Sequence, residues 1–162
     1  MAASIHRYAT RIAWSGSTAE GYDAYSRAHE ARIPGASGGD SGAALPLSSD
    51  PAFHGDAQKL NPEQLLVLAA SSCQLLSFLA VAARARIDVV AYEDDAEGLM
   101  PEDDRPMRIT SITLRPRVTV RGDAPPDERL QQLAHTAHRH CFVANSLATE
   151  IALEPVFVRT AA

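Results

Sequence analysis

The sequence predicts an α+β domain in which antiparallel sheets pack on one long central helix. Three observations predict it. An apolar run from Leu65 to Ala83 follows a helix-start signature, the stretch Arg108 to Arg121 alternates with period two, and Asp127 to His140 carries an amphipathic helical stripe. At 162 residues the chain is long enough for one domain that buries roughly 70% of its unfolded surface. A composition of 46% hydrophobic and 22% charged residues, with 9 Gly and 10 Pro, excludes a collagen-like chain, a coiled-coil rod and a wholly disordered protein. The 15 basic and 20 acidic residues leave a formal net charge of −5, which disfavours nucleic acid or an anionic membrane as partner.

Residues 1–60 read as N-terminal strands and a flexible loop, 61–87 as the central helix, and 88–162 as strands, a second helix and a closing strand, all in one domain. Ile5 to Trp14 and Tyr25 to Ile33 are predicted to pair as a hairpin across Ser15-Gly16-Ser17. The next 27 residues, Pro34 to Leu60, are rich in Gly, Ser, Pro and Asp. They form either a mobile flap or a loop with a short strand near Ala43 to Leu47. Within them Gly35 to Asp40 is not a phosphate loop, because the Gly-Lys-Ser/Thr ending is absent.

Asn61, Pro62 and Glu63 mark the helix start: a side-chain acceptor, a proline where no N–H partner is lost, and an acid at the positive end of the dipole. The helix is expected over Pro62 to Ile87. Its 19-residue apolar run is nominally long enough to span a bilayer, but Ser71, Ser72, Gln74 and Ser77 interrupt it and no aromatic belt flanks it. Apolar on nearly every face, it belongs in the centre of a fold or between subunits. Strands are expected at Asp88 to Glu97, Arg108 to Arg121 and Glu150 to Val158. In the second, Ile112, Leu114, Val118 and Val120 point inward and Arg115, Arg117 and Arg121 outward toward nearby acids, with Pro116 marking an edge or bulge. Phe142 to Leu147 reads as a short helix.

The two cysteines cannot frame a disulfide scaffold, and the start of the chain, with His6, Arg7 and Arg11 among apolar residues, shows no secretory signal; a cytoplasmic protein is expected. Cys73 falls in mid-helix and Cys141 just after the second helix. Each is either a small buried hydrophobe or one member of a redox pair. His135, His138 and His140 cluster beside Cys141. Their spacing matches no established metal motif and reads as polar-face histidines, with His138 one turn before Cys141 as a candidate proton acceptor.

The segments Asn61-Pro62-Glu63-Gln64-Leu65-Leu66, Cys73, Tyr92-Glu93-Asp94-Asp95-Ala96-Glu97-Gly98 and Ala137-His138-Arg139-His140-Cys141-Phe142-Val143-Ala144-Asn145-Ser146 resemble the OsmC/Ohr family, convincingly from Asn61 to about Leu153. That resemblance implies an OsmC-like fold, an intertwined homodimer and a thiol-dependent peroxidase for organic hydroperoxides, without a cofactor and recycled by an external dithiol such as a lipoylated protein. It makes Cys73 the peroxidatic thiol, Cys141 the resolving thiol and Glu63 the active-site carboxylate. Arg27 is the candidate for the arginine that partners Glu63, with Arg11 and Arg32 competing for that role. Many relatives carry His or Phe directly after the reactive cysteine, where this chain has Gln74.

Elementary chemistry adds two constraints. Burial raises a thiol's pKa, so Cys73 needs a stabilising partner to be a nucleophile, and an arginine held by a carboxylate would answer. Ten residues of straight helix rise about 15 Å, so Glu63 and Cys73 of one chain cannot touch and would meet only across a two-fold dimer. Leu75, Leu76, Phe78 and Leu79 around Cys73 would favour a hydrophobic hydroperoxide over hydrogen peroxide. The alternatives are a non-catalytic dimer of the same fold that binds an apolar small molecule, and a metal-dependent activity at the histidines.

Overall fold

The computed structural model describes residues 5–19, 21–33 and 44–161. The chain forms two compact units, Met1–Pro62 and Glu63–Ala162. The Gly35 to Asp40 segment lies outside the described residues.

In the first unit β1 (Arg11–Ala13), β2 (His29–Arg32) and β3 (Ala44–Leu47) form an antiparallel sheet in that order, with Arg11 opposite Arg32 and His29 opposite Leu47. The expected hairpin is present, but its strands are far shorter than Ile5 to Trp14 and Tyr25 to Ile33. The connection is held by side chains instead of a ladder: the Trp14 indole N–H donates to the Ser26 carbonyl at 2.7 Å, and the Trp14 and Tyr22 rings meet Tyr25 edge-on. The strand expected near Ala43 is β3. After it, the Asp50 carboxylate caps a 3-10 turn at Pro51–Phe53 by accepting the Ala52 N–H at 2.8 Å.

The second unit is organised by α1 (Pro62–Arg84). Its buried stripe, Ala70, Gln74, Phe78 and Ala82, recurs every four residues. The helix stops three residues short of Ile87 because Arg86 adopts a left-handed φ of 59°. The Arg86 N–H then bonds the Ala83 carbonyl and the Ile87 N–H reaches back to Ala82, both at 3.0 Å, which is a Schellman ending built without glycine. Among the described residues α1 is the one helix long and apolar enough to cross a membrane. Here it is the core helix of the unit.

Each long strand of the expected sheet is broken into two. Asp88 to Glu97 becomes β4 (Asp88–Asp94) and β5 (Glu97–Leu99); Arg108 to Arg121 becomes β6 (Ser111–Leu114) and β7 (Pro116–Arg121); the closing strand becomes β8 (Glu150–Leu153) and β9 (Val156–Thr160). Two three-stranded sheets result, β4–β7–β9 and β5–β6–β8. The expectation of antiparallel sheets holds for β4–β7 and β5–β6, but β7–β9 and β6–β8 are parallel, because α2 (Asp127–Arg139) and the loop after it carry the chain back before β8.

The breaks coincide and share one cation. The Arg115 guanidinium lies 3.2 Å from Glu97 and 3.3 Å from Glu154, while its backbone N–H donates to Asp94 at 2.7 Å. Asp94 accepts the Ser71 hydroxyl at 2.5 Å with its other oxygen, so this corner also grips α1 two residues before Cys73. Pro116 begins β7, where a missing N–H is tolerated even in a central strand. The alternation itself is as expected: Ile112, Leu114, Val118 and Val120 are all buried, and Arg121 pairs with Asp88 at 2.9 Å.

Two apolar clusters divide α1 between the sheets. Phe78 and Ala82 pack with Val118, Val120 and the Leu130, Ala134, Ala137 stripe of α2. Ala70 packs with Ile109, Ile112 and Leu114. Truncating a fully buried phenylalanine such as Phe78 to alanine costs about 3–5 kcal/mol. At Gly98 β5 passes so close to α1 that a Cβ would lie 2.7 Å from Val67 Cγ2. Cys73 sits on α1 between the two clusters.

Candidate thiol active site

The second unit brings Cys73 and Cys141 together. α1 supplies Cys73, partly exposed; the turn that ends α2 supplies Cys141, only 1% exposed. Both are free thiols, hydrogen-bonded to each other. The α2 C-terminus holds this geometry: the His140 and Cys141 N–H groups bond Ala137 and His138 carbonyls at 3.0 Å, and the following residues turn back through a 3-10 turn at Ala144–Ser146. That turn is shorter than the helix expected over Phe142 to Leu147. It aims backbone donors at both sulfurs: the Val143 N–H lies 3.5 Å from Cys73 Sγ and the Ala144 N–H 3.4 Å from Cys141 Sγ.

These contacts divide the protons unequally. Burial pushes the Cys73 thiol up, but the Cys141 thiol, the Val143 and Phe142 N–H groups and the Ser77 hydroxyl together outweigh it, and the net shift is downward. Burial first, and the hydrogen bond to Cys73 second, push Cys141 up to about 11. Cys141 therefore keeps its proton and donates it in a hydrogen bond to a Cys73 that ionises more readily than an ordinary thiol. Part of the stabilisation that sequence reasoning sought from a cation comes from these donors. Ser77, one helical turn after Cys73, was legible as a neighbour on the same face; the backbone donors had no sequence signal.

Gln74 is fully buried. Its Nε2 donates to the Ala134 carbonyl of α2 at 3.3 Å, tying the two helices together beside the thiols, while its Oε1 finds no partner among the described residues. His138 is partly buried, and desolvation, with the charge of His135 second, lowers its pKa, so it is neutral at pH 7. Among the described residues no three His, Cys, Asp or Glu side chains converge as metal ligands would.

Glu63 lies in the first turn of α1, ten residues before Cys73 on an unbroken helix, so about 15 Å of rise separates them within the chain. Arg27 belongs to the first unit. Its guanidinium donates to the Tyr25 carbonyl at 2.6 Å and to the Tyr22 carbonyl, and it stacks 3.9 Å from the Tyr25 ring centroid and 4.7 Å from that of Tyr22. It lines a cavity of about 430 Å³ with Ile12, Trp14, Tyr25 and His29. The competing arginines lie across the hairpin from each other, Arg32 ion-paired with Glu30 at 2.6 Å.

Two thiols brought together by a central helix and the turn that ends α2, backed by two mixed sheets, define the class of protein, and comparison with known proteins agrees. The family model described as OsmC-like protein matches residues 55–155, and the chain belongs to that family. An OsmC-like protein of unknown function from Vibrio cholerae is 30% identical, with 94% of this chain and 100% of that chain covered and a TM-score of 0.82. Organic hydroperoxide resistance proteins from Legionella pneumophila (13% identity, 95% and 98% covered, TM-score 0.64) and Elizabethkingia anophelis (14%, 97% and 99%, TM-score 0.66) share the fold. No curated protein matches the chain.

Proposed function

We propose that the protein is a thiol-dependent peroxidase that reduces organic hydroperoxides. The observation that carries this reading is the contact between a Cys73 with lowered pKa and a buried, protonated Cys141. The Cys73 thiolate attacks the distal peroxide oxygen, the O–O bond breaks, and the alkoxide takes a proton to leave as an alcohol. Cys73 is then a sulfenic acid. The Cys141 sulfur displaces its hydroxyl, which leaves as water with the Cys141 proton, and a Cys73–Cys141 disulfide forms. An external dithiol, for which a lipoylated protein is the family precedent, reduces it. Relatives of the same fold named for organic hydroperoxide resistance support the substrate class. The apolar side chains near Cys73, Leu76 at 65% exposed among them, suit a hydrophobic hydroperoxide.

The same reading includes a cytoplasmic homodimer. Leu68, Leu76 and Leu79 leave one side of α1 apolar and exposed, a surface that a second copy would cover. Such a dimer would also allow Glu63 and Arg27 of one subunit to serve the Cys73 of the other, where the helix keeps Glu63 from its own.

Treating the reduced protein with one equivalent of cumene hydroperoxide, followed by intact mass and peptide mapping, tests the cycle. Rapid formation of a Cys73–Cys141 disulfide, abolished in Cys73→Ser, is the expected result. Thiols that remain reduced over many minutes would refute it and leave the ligand-binding dimer, with the aromatic cavity beside Arg27 as the place to look.

A further inference from the structure

Between the end of α1 and the start of α2 the second unit holds a cavity of about 510 Å³, within the size range of small-molecule sites. Arg86 lines it from the turn after α1 and Arg129 from the first turn of α2, with Asp123 as the acid in the same wall and Ile87, Pro125 and Leu133 among its apolar residues. The thiol chemistry does not use it. From Cys73 to Arg84 the helix rises about 16 Å, so the cavity is separate from the thiol site.

Both arginines are left without a carboxylate. The acids on neighbouring elements are committed elsewhere, Asp88 to Arg121 at 2.9 Å and Asp127 to Arg159 at 2.6 Å. Arg129 donates to the neutral side chain of Gln132 at 3.3 Å, and the Arg86 guanidinium has no hydrogen bond or ion pair among the described residues. Asp123 pairs with neither of them there. The backbone of Arg86 sharpens the point. Its φ of 59° is a conformation in which glycine is the default, so a side chain is kept at this turn at a cost in stability, and that side chain bonds no other group of the fold. A strained residue whose free guanidinium lines a cavity has the character of a ligand contact, not of a structural support. The two positions are also fixed in advance: the Arg86 N–H bonds the Ala83 carbonyl and the Arg129 N–H the Pro126 carbonyl, both at 3.0 Å, so a ligand would find the site already formed.

We infer that this cavity binds a small organic monoanion, a carboxylate on an apolar body, between Arg86 and Arg129. Two guanidiniums and one carboxylate leave the wall with a single positive charge, which a monoanion neutralises and a phosphate dianion overshoots. The planar carboxylate matches the paired N–H groups of a guanidinium, and the apolar part of the wall covers the rest of the ligand.

Titration of the full chain with benzoate and with hexanoate, followed by the amide NMR spectrum, tests the assignment, with benzyl alcohol and inorganic phosphate as comparators. Saturable shifts centred on the Arg86, Ala124 and Arg129 amides are expected, with both carboxylates binding more tightly than either comparator. Arg86→Gly suits the turn and so keeps the fold; it should weaken benzoate about tenfold, the low end for a hydrogen bond between charged groups because the cavity is open to water. Arg129→Gln, which keeps a good helix former, should do the same, and Asp123→Asn should tighten binding severalfold. No saturable shift with either carboxylate, shifts centred elsewhere (the aromatic cavity beside Arg27 included), equal affinity for benzoate and benzyl alcohol, or unchanged affinity in both arginine variants would each overturn the inference. Phosphate binding more tightly than benzoate would overturn the choice of a monoanion. The measurement involves neither thiol, so its outcome stands apart from that of the peroxide assay.

Discussion

Val143→Pro removes one hydrogen atom from the thiol site. The Val143 N–H that reaches Cys73 Sγ at 3.5 Å disappears, and Val143 already has φ −67°, inside the range that proline fixes. A hydrogen bond to a charged group contributes about 1.5–3 kcal/mol, and at 3.5 Å to a sulfur this one belongs at the low end, near 1.5 kcal/mol. Below the thiol's midpoint that is roughly a tenfold smaller thiolate population at Cys73. Alkylation will report less, because a less acidic thiol gives a more nucleophilic thiolate. With a Brønsted slope of about 0.4–0.5, a tenfold loss of thiolate reads as about three- to fourfold slower reaction. The assay is pulsed iodoacetamide labelling mapped to the Cys73 peptide across pH, beside the ultraviolet absorbance of the thiolate. Proline also disfavours a helical conformation at Phe142, so Ser77→Ala serves as a companion that removes a donor without touching the turn. Wild-type labelling of Cys73 in both variants, with melting unchanged, would refute the claim that these donors sustain the thiolate.

Cys141→Ala, which deletes the thiol donor, should raise the Cys73 pKa, whereas Cys141→Ser keeps a hydroxyl donor and should hold it nearer the wild type; the same labelling profile checks both. Arg86→Gly should stabilise the fold by about 0.5–1 kcal/mol, since left-handed backbone costs a non-glycine residue about 1–2 kcal/mol and glycine gives part of that back in chain entropy; urea unfolding measures it. Gly98→Ala forces a Cβ against Val67 and should destabilise by about 1–3 kcal/mol in the same experiment. Stability should fall as pH rises from about 9 through about 11: Cys141 is raised from 9.0 to about 11 in the fold, so in that window the unfolded chain has released a proton that the folded chain still holds. Tyr92, also raised, acts in the same direction, and Cys141→Ala should flatten the decline measured by thermal melts in alkaline buffers.

The pattern of the sequence carried most of the fold and half of the site, for identifiable reasons. Periodicity located β6, β7 and α2 because each has one wet and one dry face, and their buried positions are those the alternation marked. It could not divide the strands, because the break is made by distant partners: Arg115 binds acids on β5 and just after β8, a convergence that no local window contains. It overextended the first hairpin, where aromatic side chains and not ladder bonds hold the connection. The end of α1 was missed because Arg86 takes a conformation usually left to glycine. In the site, the thiols were legible as residue types, but the Val143 and Ala144 amides that meet them belong to the backbone.

The weakness of Cys141 as an acid is what makes Cys73 a usable nucleophile. A thiol that ionised near neutral pH could not serve as donor to its neighbour, and two adjacent thiolates would repel. Burial at 1% exposure keeps the proton on Cys141 and so lets a single S–H group offset part of the desolvation that would otherwise silence Cys73. In the proposed cycle that proton has a second use: when Cys141 attacks the sulfenic acid, it leaves with the displaced hydroxide as water, so the resolving step needs no separate base. Mutating a surface residue to lower the Cys141 pKa should therefore not accelerate the first step. It should slow it, by taking away the donor on which the Cys73 thiolate depends.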